Sequence, residues 1–86
     1  MSYRVIWRPG TRRRLKGICA RDRDRILERV AALAENPRPH PQSRALAGDL
    51  QGMSRLRVGD WRVAYSVEDA EGLVVVWRVG ARGGFY

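Results

Sequence analysis

Arginines recur in the stretch from Gly52 to Val67, and they are the side chains of this sequence best suited to chemistry on an anion. The stretch contains two alternating segments joined at Val58-Gly59-Asp60, a pattern that predicts a β-hairpin. Because successive side chains of a strand point to opposite faces, Arg62 is predicted to lie opposite the apolar side chains of its segment. A guanidinium forms bidentate hydrogen bonds with a phosphate. The sequence therefore predicts a hairpin with one apolar face and one basic, phosphate-binding face.

The residues before the hairpin predict one strand and two helices that support it. Ser2 to Arg8 alternates as a strand does, and Pro9-Gly10 ends the pattern. Thr11 is predicted to cap a short helix with a strongly basic exposed side. Asp22 is predicted to cap a longer helix with a single apolar stripe, which Asn36-Pro37 ends.

The residues after the second helix complete the predicted sheet. Segment 36–49 is rich in proline and predicts a connector that is neither regular helix nor central strand. Leu73 to Val79 is an almost continuous apolar run, which predicts a central strand covered on both faces. Tyr65 and Trp77 fall on the apolar side of their strands and are predicted to be core. The order β-α-α-β-β-β predicts an α+β fold, in which a twisted, mainly antiparallel, four-stranded sheet carries both helices on one face.

Size and charge limit the class of protein. The chain has 86 residues and a formal net charge of +8, which predicts one domain over residues 1–86 and attraction to nucleic acid, an anionic membrane or an acidic protein. No apolar run approaches the roughly 20 residues that span a bilayer, so no membrane segment is expected. The single Cys19 gives no internal disulfide, and Met1 to Trp7 carries no apolar signal pattern. We therefore expect a cytoplasmic protein.

Histidine, metal and cofactor chemistry have little support in this sequence. His40 is the one side chain that titrates near neutral pH, but it lies between two prolines of the connector and is expected to be a surface loop residue. One histidine and one cysteine do not make a metal site. No glycine-rich phosphate loop and no Ser/His/Asp arrangement is present. We expect neither a metal nor a cofactor.

Four blocks carry a resemblance to a known family, in the order in which they occur. They are Asn36-Pro37-Arg38-Pro39, Ala45-Leu46-Ala47-Gly48, RVGDWRVAY at 57–65 and VWRVGAR at 76–82. With the predicted element order they resemble the RelE/ParE superfamily of toxin–antitoxin toxins over nearly the whole chain. The RelE branch cleaves mRNA in the ribosomal A site, and the ParE branch shares the fold but poisons DNA gyrase. The short span from Thr11 to Glu35 favours the RelE branch.

The resemblance implies a catalytic cluster of basic residues from the hairpin and the last strand, closed by an aromatic hydroxyl or a histidine near the C-terminus. The matching positions are Arg55, Arg62, Arg82 and Tyr86. Such cations stabilise the charge that develops when the ribose 2′-hydroxyl attacks the adjacent phosphorus. The sequence departs from the family where Arg55 replaces a frequent lysine and Met53 replaces another lysine or an acid. Because a guanidinium hardly gives up a proton, this departure weakens general-base chemistry more than RNA binding.

Other basic residues predict contacts outside the catalytic cluster. Arg57 is predicted to hold the RNA backbone, and Arg12, Arg13 and Lys16 suit ribosomal RNA or an acidic antitoxin. For each of them, a solvated surface charge remains the alternative. The resemblance implies an mRNA endoribonuclease toxin that inhibits translation, with a cognate acidic antitoxin and mRNA on the ribosome as partners. A ParE-like gyrase poison and a catalytically weak relative that only binds its antitoxin remain the two alternatives.

Overall fold

A computed structural model describes residues 2–37, 43–45 and 53–81, the middle range by its backbone alone, and in these ranges it has two helices and one five-stranded sheet. The elements are β1 (Arg4–Trp7), α1 (Pro9–Lys16), α2 (Ala20–Ala32), β2 (Ser43–Ala45), β3 (Ser54–Val58), β4 (Trp61–Glu68) and β5 (Leu73–Ala81). The sheet order is β1-β5-β4-β3-β2, with β1 and β5 parallel and the other pairs antiparallel. The predicted α+β order is confirmed. The structure has one strand more than predicted, the short edge strand β2 within the proline-rich connector. An edge strand tolerates nearby prolines because a missing ladder hydrogen bond matters least there.

The core fills the space between the helices and one face of the sheet. Ile26, Val30 and Leu33 belong to one buried cluster with Val63 and Tyr65 of β4, and each of the five is at most 1% exposed. Helical spacing on one side and strand alternation on the other bring these side chains together. The apolar face predicted for the hairpin is therefore the face that the helices cover.

The first and last strands lie side by side, and β5 occupies the central position predicted for it, between β1 and β4. Tyr3, Val5 and Trp7 pack against the core, as the alternation of the first segment predicts. The expectation that β5 is covered on both faces is wrong for the described residues, because Val75 is partly exposed and Trp77 is 38% exposed. One face of the sheet is thus open to solvent there.

A β-bulge reverses the alternation of side chains in β5. Ala64 pairs with Arg78 and Tyr65 pairs with Val76, so Trp77 is an extra residue between two paired ones. The prediction that Trp77 belongs to the core is wrong because Trp77 alternates with Val76, which is buried in the core, and therefore lies on the opposite face together with Val75. There its Nε1 donates to Ser66 Oγ at 2.8 Å. The bulge changes the faces of the next residues, since it puts Arg78 on the same face as Trp77 and Val79 in the core. The prediction that Tyr65 belongs to the core is confirmed.

Both helices begin earlier than their predicted caps. α1 begins at Pro9, a residue favoured in the first turn because it has no N–H to satisfy. Thr11 lies inside that turn, where its hydroxyl donates to the Arg8 carbonyl oxygen at 2.6 Å. α2 begins after Cys19, and Asp22 accepts a hydrogen bond from Trp61 Nε1 at 3.1 Å instead of capping the helix. This bond ties α2 to the hairpin. No helix in the described ranges combines the length and apolar character that crossing a bilayer requires.

The turn of the hairpin depends on Gly59. Two residues, Gly59 and Asp60, join β3 to β4, and Gly59 has a φ of 60°. A positive φ at the first turn residue and not at the second is the type II′ pattern, whose twist matches that of the strands. A Cβ added at Gly59 would meet an Arg25 nitrogen at 3.7 Å, which is an ordinary contact. Any cost of a side chain there is therefore conformational.

Gly59→Ala is expected to lower the free energy of unfolding by about 1 kcal/mol, because a residue with a Cβ pays roughly this amount for the left-handed conformation. Gly10→Ala is the matched control, since Gly10 lies in α1 and a Cβ there has no neighbour within 4 Å. We expect this control to be neutral or to raise the free energy of unfolding by about 0.5 kcal/mol. Urea unfolding measures both variants, and equal losses would contradict the assignment.

Candidate functional site

The sheet face opposite the helices, which we call the open face, carries a concentration of arginines. Strand register places on it Arg4 of β1, Arg55 and Arg57 of β3, Arg62 of β4 and Arg78 of β5. For the arginines of β1, β3 and β4 the division follows from alternation, because their neighbours on each strand point into the core. Arg78 reaches the open face through the bulge, next to Trp77. The basic face predicted from the hairpin sequence thus extends across the sheet.

Arg62 is held in one orientation by backbone carbonyl groups. Its side chain is 8% exposed, and Nη1 donates to the carbonyl oxygens of Gly59 at 3.2 Å and Trp61 at 3.1 Å. Within the described ranges these carbonyls, and no carboxylate, are its hydrogen-bond partners. Burial of a charge without a counter-ion is costly, so an anion at the Nε–Nη2 edge would stabilise this arrangement.

Two rows of paired residues surround Arg62 on the open face. In one row Arg62 lies between Arg57 of β3 and Gly80 of β5, and in the next row Ala64 lies between Arg55 and Arg78. Directly paired residues of antiparallel strands have Cβ atoms about 4.5–5.5 Å apart, so Arg57 and Arg62 repel one another. Gly80 and Ala64 are small and are buried between the long side chains. The result is a positively charged floor around Arg62, which attracts an anionic group.

The structure brings some of the predicted site residues together and leaves others apart. Arg55, Arg57 and Arg62 share the open face. Arg12, Arg13 and Lys16 are exposed on α1, which packs on the opposite face of the sheet. This basic helix surface is therefore separate from the floor around Arg62.

The C-terminal members of the predicted cluster, Arg82 and Tyr86, lie outside the described residues, and so does His40. The last described residue is Ala81, which pairs with Trp61 directly beside Arg62. The chain thus leaves β5 next to the hairpin turn.

Arg78 is a site residue that the sequence predictions did not include. It pairs with Ala64 and lies on the open face next to the bulge. The available signal was its place as the one charged residue in an otherwise apolar strand. Without knowledge of the bulge, the side of the sheet on which it lies could not be assigned.

The open face is suited to binding an anion and to stabilising developing negative charge. Arginine donates hydrogen bonds but does not accept a proton near neutral pH. Met53 precedes β3 and offers a thioether, which does not act as a general base. Among the described residues, no group of three or more His, Cys, Asp or Glu side chains is placed to hold a metal ion.

These features define a class: a small α+β domain whose sheet has one face covered by helices and one arginine-rich face for an anionic ligand. A family model described as the ParE toxin of type II toxin–antitoxin systems, parDE, matches residues 5–84. The chain belongs to this family, and with it to the RelE/ParE superfamily.

Individual relatives agree with this assignment. The chain is 33% identical to Toxin RelE of Mycobacterium tuberculosis over 76 aligned residues, which cover 78% of this chain and 76% of the relative. It resembles a chain of the toxin–antitoxin complex RelBE2 of the same organism with a TM-score of 0.82 and 26% identity, over 95% of this chain and 100% of that one. It resembles a chain of the RelE–RelB complex of Pyrococcus horikoshii with a TM-score of 0.80 and 28% identity, over 98% and 99%.

Proposed function

We propose that this chain is a RelE-like toxin that cleaves mRNA on the ribosome and thereby inhibits translation. The observation that carries the proposal is Arg62, a buried cation oriented by two carbonyl oxygens on a face where other arginines surround it. Such a site suits a phosphodiester better than an uncharged substrate. The similarity to Toxin RelE supports the same branch of the superfamily.

In the proposed reaction the ribose 2′-hydroxyl gives its proton to a water molecule and attacks the adjacent phosphorus. The bond between phosphorus and the 5′-oxygen breaks, which leaves a 2′,3′-cyclic phosphate on one product and a 5′-hydroxyl, formed by uptake of a proton, on the other. The phosphorane gathers negative charge, which Arg62 meets through its Nε–Nη2 edge, while Arg55 and Arg57 hold the non-bridging oxygens and the backbone. We assign Arg82 to the same phosphate and Tyr86 to proton exchange with the leaving group or to stacking on a base. Because neither Arg55 nor Met53 can act as a general base, charge stabilisation and alignment of the reacting groups supply most of the acceleration of cleavage.

The proposed partners follow from charge and from the relatives. A formal net charge of +8 favours a small acidic antitoxin and the RNA of the ribosome. RelE-type relatives were solved in complex with antitoxins, RelB in the archaeal case. We assign Arg12, Arg13 and Lys16 to ribosomal RNA or to the antitoxin rather than to the scissile phosphate, because α1 lies on the other face of the sheet. A ribosomal target places the protein in the cytoplasm.

A ParE-like poison of DNA gyrase is the second candidate. The matching family model is that of ParE, and the arginine-only floor binds an anion without supplying an obvious base. In this case the open face would contact its target without breaking a bond.

Two assays with the purified protein separate these functions. Ribosomes programmed with a defined mRNA are expected to yield cleaved RNA with ends inside the A-site codon, and gyrase supercoiling is expected to be unaffected. Loss of supercoiling with intact mRNA would replace the proposed function by the gyrase one. Absence of both effects, with tight antitoxin binding retained, would identify a relative that only binds its antitoxin.

A further inference from the structure

An exposed indole lies on the open face, next to the proposed phosphate site. Trp77 is 38% exposed because strand alternation places it opposite the buried Val76, and the bulge in β5 puts the next residue, Arg78, on the same face. Bulges re-aim side chains and are frequent near functional sites. A partly exposed aromatic ring on a basic surface is available to a planar, anionic ligand, because it offers a flat apolar area beside the positive charges.

Two neighbours hold the indole in one orientation. Nε1 of Trp77 donates to Ser66 Oγ at 2.8 Å, and Ser66 Oγ in turn lies 3.4 Å from Glu68 Oε1. The guanidinium carbon of Arg8 lies 4.6 Å from the centre of the Trp77 ring, which is the geometry of a cation–π contact. Because the indole N–H is already used, the pair presents flat π and guanidinium surfaces rather than a pattern of hydrogen-bond donors.

The distance from this pair to Arg62 fits a nucleotide that flanks the cleaved bond. Trp77 is adjacent to Arg78, which pairs with Ala64, and Ala64 lies two residues from Arg62 on the same face. Strand geometry makes the separation on the order of 10 Å. A base stacked at Trp77 would therefore belong to a nucleotide near the phosphate at Arg62.

We infer that Arg8 and Trp77 form a stacking subsite for a base of single-stranded RNA next to the scissile phosphate. The inference rests on the proposed function for the position of that phosphate. Single-stranded RNA is recognised by stacking of its bases on aromatic rings and guanidinium planes. The open face around the pair also has the required charge, since Arg4, Arg8 and Arg78 lie on it or over it.

The test measures binding of a fluorescent 2′-O-methyl RNA oligonucleotide, which the protein is unable to cleave. Trp77→Ala is expected to weaken binding about tenfold, because one stacked base is lost. The slope of affinity against salt is expected to stay unchanged, since no phosphate contact is removed. Arg8→Ala is expected to weaken binding and to lower that slope. Trp77→Phe, which keeps an aromatic ring, is expected to bind within about threefold of wild type.

Arg21→Ala is the matched control for lost charge, because Arg21 is exposed on α2, on the far side of the sheet. Thermal unfolding of each variant confirms that it is folded at the assay temperature. Unchanged RNA affinity in folded Trp77→Ala would overturn the subsite. Weaker antitoxin binding with unchanged RNA affinity would assign the pair to the antitoxin and would also overturn it. The binding assay contains no ribosome, so it tests the subsite separately from the cleavage assay. RNA binding that depends on Trp77, together with no cleavage of mRNA on ribosomes, would refute the proposed function and leave the stacking subsite in place.

Discussion

Arg62→Ala is expected to slow mRNA cleavage on programmed ribosomes by about 10²–10³-fold, the loss found when one oriented donor to a developing oxyanion is removed. The effect is large because the two carbonyl groups that bind Nη1 fix the guanidinium before the substrate arrives. Arg62→Lys is expected to give an intermediate rate, since it keeps the charge but loses the bidentate fork. Quantified primer extension on a defined mRNA measures all of these rates.

The control for Arg62→Ala addresses both charge and stability. Arg21→Ala removes an equal charge from the exposed surface of α2 and is expected to cleave at close to the wild-type rate. Because Arg62 is buried, thermal unfolding and antitoxin binding are measured in parallel. A folded Arg62→Ala protein that arrests translation as fully as wild type would remove Arg62 from the catalytic site.

Alternation in the sequence was enough to assign the faces of the hairpin. Side chains in strands alternate with a period of two, so Arg62 and Tyr65 were placed correctly on opposite faces from the sequence alone. This assignment was robust because β3 and β4 pair without interruption from Ser54 to Val58. The face that carries the proposed chemistry was therefore predictable.

The features that the sequence did not predict are those that depend on pairing between distant segments. The bulge that places Arg78 on the open face arises where β4 and β5 shift register, and no local pattern marks it. Aspartate is a residue type that often caps helices, but the carboxylate of Asp22 accepts a hydrogen bond from Nε1 of Trp61, which lies far along the chain. Local propensity gave way to tertiary contacts in both cases.

Ile26→Ala is expected to lower the free energy of unfolding by about 3 kcal/mol, because it leaves a cavity in a fully buried position. A chain of 86 residues buries only about 60% of the surface that its unfolded form exposes, so its total stability is small. Leu27→Ala is the matched control, since Leu27 is the next residue of the same helix and its side chain is 39% exposed. We expect this control to change the free energy of unfolding by less than about 0.5 kcal/mol. Urea unfolding at constant temperature measures both.

The Ile26→Ala variant also separates loss of fold from loss of chemistry. It is expected to reduce growth arrest through a smaller folded population, and antitoxin binding is expected to restore stability by an amount that rises with the logarithm of the antitoxin concentration. The cleavage rate per folded molecule is expected to remain near that of wild type, because Ile26 lies in the helix layer and Arg62 on the open face. Arg62→Ala is expected to show the reverse, a folded population near normal and a low rate per molecule. An equal fall in rate per folded molecule for both variants would mean that the core and the open face are not independent.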